Sequence, residues 1–87
     1  MKIIFNIINW IKTYLPKNEI DTILYEIKKI ENDECKYHRV AAMYLKLHTI
    51  YGLMLGKTDD DDYNYFLADL YYKKYEWYRS EYFKLNS

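Results

Sequence analysis

Cys35, His38 and His48 are the residues whose types most readily suggest chemistry, and their spacing decides how far the suggestion goes. Cys35 and His38 are one helical turn apart, with His48 further along the same stretch. A structural zinc site takes four ligands, usually as two spaced pairs, and no second pair at matching spacing exists. A nucleophilic Cys35 would need a base and an oxyanion donor, which no neighbouring pattern supplies. His48 reads instead as a histidine at the edge of the core, bonded to a tyrosine or a carboxylate.

Two further patterns imitate sites. Gly52-Leu-Met-Leu-Gly56-Lys57-Thr58 resembles a phosphate-binding loop, but it has three residues between its glycines where four are needed, and it closes an apolar helix rather than following a strand. The aspartates at 59, 60, 61 and 62 lack the alternating ligands, central glycine and distal glutamate of a calcium loop. They suit a helix start, where negative charge complements the macrodipole. The expectation is no enzyme, with no catalytic residues, no metal and no cofactor.

Aromatic residues are the informative feature: they make up 20% of the chain and include twelve tyrosines. Ile23, Ile30, Tyr37, Tyr44 and Tyr51 recur every seven residues, which on helices is a packing seam. Tyr71, Tyr75, Tyr78, Tyr82 and Leu85 make a similar stripe further on. Most of these phenols are expected to fill a core, with their hydroxyls reaching its rim.

The elements that must position them are all helical, because apolar residues recur at three- and four-residue spacing and nowhere alternate cleanly. The expected fold is all-α, a small bundle of four helices at about 2–15, 18–31, 34–55 and 60–85, forming one domain over residues 1–87. Pro16 stops the first helix, and Asn18 with Asp21 is a capping pair for the second. Glu31, Asn32, Asp33 and Glu34 contain no apolar residue and carry good capping types, so a break is placed there. Were the second and third helices continuous instead, the molecule would be elongated and oligomeric. The third helix has the fewest polar positions and is the expected centre, with Val40, Tyr44, Leu47, Tyr51 and Met54 on one stripe. Gly56 ends it, and Thr58 with the aspartates caps the fourth, making an antiparallel hairpin.

Composition narrows the class. At 87 residues the chain can hold a modest core and no large internal active site. Thirteen basic and thirteen acidic side chains cancel, which argues against an electrostatic coat for DNA or an acidic mimic of it. The balance is uneven along the chain: residues 1–17 carry +3, while positions 59 to 62 carry −4. One cysteine excludes an intrachain disulfide and fits a cytoplasmic setting, the host cytoplasm for a viral protein. No signal peptide or transmembrane segment is expected. Abundant Ile, Lys, Asn and Tyr, with scarce Ala, Gly, Pro and Arg, indicate an AT-rich gene of the kind common in phages, archaeal viruses and low-GC bacteria.

The helix over 60–85 has more aromatic residues than one face can hide. With Tyr63, Leu67, Leu70, Tyr71, Trp77, Tyr78 and Leu85 inward, Tyr65, Tyr72 and Phe83 project to the other side beside Ala68, Glu76 and Arg79. An aromatic ridge with arginine has the composition of a protein-binding hot spot. The leading expectation is therefore an interaction module that binds a host protein through Tyr65, Tyr72, Arg79 and Phe83, an inhibitor or adaptor of a phage, virus or mobile element, with anti-defence roles included. The alternative is a nucleic-acid-binding module using Lys73, Lys74, Arg79 and Lys84 among aromatics suited to base stacking. A third reading is structural self-assembly, of which a homodimer is the simplest form. The first helix, with its isoleucine face and Trp10, is expected to cover the core rather than lie on an anionic membrane.

Overall fold

In a computed structural model, which describes residues 17–57 and 59–87, the chain is all-α. Helix α1 covers Lys17–Ile30, a 3-10 turn covers Glu34–Lys36, α2 covers Tyr37–Met54 and α3 covers Asp61–Leu85. Three of the four expected helices are thus present. The helix expected over 2–15, its choice between core and membrane, and the Thr58 cap lie outside the described residues.

Helix α1 forms where Ile20, Ile23 and Ile27 stack on one side and Lys28 and Lys29 meet the negative end of the dipole. Asn18 lies inside its first turn rather than capping it, and its carbonyl accepts a bond from the Thr22 hydroxyl at 2.8 Å. The helix ends at Ile30, and the break expected at 31–34 is present. There the Asp33 amide donates to the Ile30 carbonyl at 3.0 Å, and the Asp33 carboxylate accepts from the Cys35 amide at 3.0 Å. Asp33 is therefore the cap that starts the 3-10 turn.

Helix α2 is the central element. Val40 and Leu47 are wholly buried, and Tyr44 nearly so, against Ile20, Ile23 and Ile27 of α1. Met43, Ile50, Tyr51 and Met54 are half-buried around that cluster. Each fully buried aliphatic side chain contributes about 1.5–3 kcal/mol. Helix α1 runs back along α2: Glu19, near the start of α1, pairs with Lys46 at 3.2 Å.

The α2–α3 hairpin is antiparallel, and its turn is made by the backbone. Gly56 adopts a φ of 80°, the left-handed conformation that ends a helix cheaply only with glycine. Its amide donates to the Asp61 carboxylate at 2.8 Å. One aspartate thus braces the turn, and the Asp60 carbonyl accepts the Asn64 amide at 2.9 Å. Among the described residues no helix is long and apolar enough to cross a membrane.

Candidate functional site: the two flanks of α3

The interface between α2 and α3 is a ladder of tyrosines. Tyr51 stacks on Tyr71 at 5.7 Å, Tyr71 on Tyr44 at 5.8 Å, and Tyr44 on Tyr78 at 5.6 Å. Tyr78 then meets Tyr37 edge-on at 5.0 Å. Residues seven apart on each helix interleave because both present one position per two turns to the seam. The offset and edge-to-face geometry suits ring quadrupoles.

Burial makes this ladder electrically quiet. Desolvation pushes the Tyr44 hydroxyl up to about 12, helped by Tyr78, Glu31 and Tyr71 nearby. Burial also raises Tyr51, Tyr71 and Tyr78. These phenols stay protonated at neutral pH and serve as packing and polar rim, not as bases.

The ladder fixes the rotation of α3, and that rotation corrects the expected face. Leu67, Tyr71 and Tyr78 do turn inward, but Tyr63, Trp77 and Leu85 are 60%, 53% and 48% exposed. Asn64 and Ala68 are buried in their place, with Tyr75 and Tyr82 half-buried on the same side. Ala68, expected beside the ridge, lies in the seam, where its carbonyl meets His48. His48 is thus a core-edge histidine bonded to backbone rather than to a tyrosine or carboxylate.

Outside the seam α3 presents aromatics on two flanks. One holds the ridge of Tyr65, Tyr72 and Phe83, all exposed. The Arg79 guanidinium sits over the Phe83 ring at 5.4 Å, and Tyr72 leans on His48 at 5.0 Å and on Tyr75 at 5.6 Å. At 1.5 Å per residue, Tyr65 to Phe83 spans about 27 Å, so the ridge divides into a Tyr65–Tyr72 end and an Arg79–Phe83 end. The other flank takes Tyr63, Leu70 and Trp77, which the sequence places on the inward face, and adds Phe66, which the sequence reading does not place. Only the seven-residue recurrence of 63, 70 and 77 could have signalled it.

The four cations do not converge. Lys73 pairs with Asp69 at 3.0 Å and Lys84 with Glu81 at 3.3 Å, while Lys74 lies over the Tyr44 ring at 5.7 Å. Arg79 points to the opposite flank. Cys35 and His38 are both exposed, and His38 packs on Tyr82 at 5.1 Å. Among the described residues no three His, Cys, Asp or Glu side chains group as a metal site. Comparison with known proteins finds no matching family model, no similar curated protein and no matching solved structure, so function has to be read from these side chains themselves.

Proposed function

We propose that this chain is a non-enzymatic protein-interaction module that binds a partner protein through Tyr65, Tyr72, Arg79 and Phe83. The supporting observation is the Arg79–Phe83 stack at 5.4 Å, on a flank where Phe83 is 58% and Tyr65 67% exposed. Arginine and tyrosine are the side chains most often dominant in interface energetics, and a stacked guanidinium is already ordered for contact. The small size and AT-rich coding suit a phage, viral or mobile-element inhibitor or adaptor acting on a host protein in the host cytoplasm.

The test replaces Tyr65, Tyr72 and Phe83 with serine and compares affinity capture from the native host with that by the unaltered chain. Loss of a specific captured protein in the triple variant, with capture retained by Phe66→Ser on the other flank, is the expected result. Equal capture by both variants would remove the ridge from consideration. Salt-dependent binding to single-stranded nucleic acid, lost in Lys73→Glu/Lys74→Glu/Arg79→Glu, would replace this reading with the nucleic-acid one. The spread of those cations over two flanks weighs against that outcome.

A further inference from the structure

We infer that the second flank of α3, formed by Tyr63, Phe66, Leu70 and Trp77, is the seam of a homodimer, with the two α3 helices packed antiparallel about a two-fold axis at Leu70. Tyr63, Phe66 and Trp77 are 60%, 62% and 53% exposed, and Leu70 is half-buried. Positions 63, 70 and 77 repeat every seven residues, and Phe66 lies one turn from Tyr63 and Leu70. They form one strip rather than scattered apolar residues.

The strip is self-complementary. Leu70 lies seven residues from both Tyr63 and Trp77, so a two-fold axis there sets Leu70 on Leu70 and each Tyr63 against the Trp77 of the other copy. This is the isologous arrangement of a closed dimer. Trp77 is also held before any partner arrives, since its ring packs at 4.9 Å on Tyr78 and 6.1 Å from Tyr37. An anchor already ordered loses little freedom on binding.

Charge selects a second copy, and selects its direction. From position 59 to 72 the chain carries Asp59, Asp60, Asp61, Asp62 and Asp69 and no base. From 73 onward Lys73 and Lys84 outnumber Glu81 on this side of the helix, Arg79 belonging to the ridge flank and Lys74 lying over the Tyr44 ring. An antiparallel copy sets the acidic start of one α3 beside the basic second half of the other, whereas a parallel copy opposes like charges. With zero net charge, no overall repulsion keeps the copies apart. The exposed parts of these side chains amount to about 400 Å² per copy, about half of what a standard specific interface buries on each partner, so the dimer is a weak, transient one. The ridge of Tyr65, Tyr72, Arg79 and Phe83 stays open on the other flank.

Sedimentation across a concentration series should show the mass rising from 10.8 kDa toward twice that value. Phe66→Asp and Trp77→Ser should hold the monomer at concentrations where Tyr65→Ser and Phe83→Ser still dimerise, each variant first being checked for retained helicity. In a Cys35→Ser background, chains carrying Asp59→Cys should cross-link to chains carrying Glu81→Cys and not to themselves. A monomer up to about 1 mM, the concentration that corresponds to a millimolar Kd, overturns the proposal, whatever then covers the strip. A dimer insensitive to Phe66→Asp, or one giving only self-cross-links, also overturns it.

Discussion

The imidazole Nδ1 of His48 lies 2.8 Å from the carbonyl oxygen of Ala68, a side chain of α2 reaching the backbone of α3. A carbonyl oxygen only accepts, so the Nδ1–H is the donor of this bond. The approach requires a small residue at 68, and Ala68 is only 6% exposed. The pair therefore fixes the stagger of the two helices at a point where the stacked tyrosines alone could slide by a turn.

Replacing His48 with leucine should lower stability by about 1 kcal/mol, the net worth of one side-chain hydrogen bond. Enlarging Ala68 to leucine should lose more, about 1–3 kcal/mol, because the ring would be pushed out of the seam. Urea unfolding of the two variants measures both. A His48→Leu variant as stable as the unaltered chain would mean that the bond does not hold the register.

Alkaline pH should loosen the hairpin. Tyr44 ionises near 10 in the unfolded chain and at about 12 when folded, because burial disfavours its anion. The folded state keeps a proton that the unfolded state loses. Stability from this group is thus complete below pH 10, declines as pH rises from 10 to 12, and has been lost above that window. The loss is on the order of 2 kcal/mol for Tyr44, and the raised values of Tyr51, Tyr71 and Tyr78 act in the same direction. Melting temperature followed from pH 9 to 12 should fall more shallowly in Tyr44→Phe; identical slopes would contradict the assignment.

The two glycines should respond with opposite signs to alanine. At Gly56 a Cβ meets nothing within 4 Å, so the expense is purely conformational: φ is +80°, and an L-residue there loses about 1–2 kcal/mol. Gly52 lies inside α2 with equally open space around it. Alanine there should stabilise by up to about 1 kcal/mol through helix propensity. A Gly56→Ala melt no lower than that of the unaltered chain would show that the turn is not held by its left-handed residue, and a lowered Gly52→Ala melt would contradict the gain expected inside α2.

How legible the fold was depends on how one-sided each helix is. Ile20, Ile23 and Ile27 stand against charged neighbours, and the break after Ile30 is written in capping residues, so α1 and its end could be read directly. The recurrence of Tyr37, Tyr44 and Tyr51 likewise gave the seam of α2. Helix α3 could not be phased in this way, because aromatic residues surround it on every side and several rotations bury similar area. What chooses among them is partner-specific: Asn64 is buried at 3% exposure although its type points outward, and Ala68 is buried because His48 needs its carbonyl. Hydropathy carries neither fact. The ridge residues stayed exposed under both rotations, whereas Tyr63 and Trp77 changed sides.

Two aromatic residues of α3 should therefore separate scaffold from surface when each is cut to alanine. Tyr78 touches Tyr37, Tyr44 and Trp77 at ring distances of 5.0, 5.6 and 4.9 Å. Its removal opens the ladder at the point where both helices contribute; with Tyr78 half-buried, the loss should fall below the ~3–5 kcal/mol of a fully buried aromatic and still be a large share of what a domain this small possesses. Phe83 is 58% exposed and contacts Arg79 and the edge of Tyr82. Its loss removes an exposed cation–π contact worth about 0.5–1 kcal/mol and little packing. Guanidinium unfolding of Tyr78→Ala and Phe83→Ala should give midpoints far apart, while only the folded Phe83→Ala chain remains usable for binding measurements. If Phe83→Ala unfolds as readily as Tyr78→Ala, Phe83 belongs to the core and the ridge loses its terminal contact.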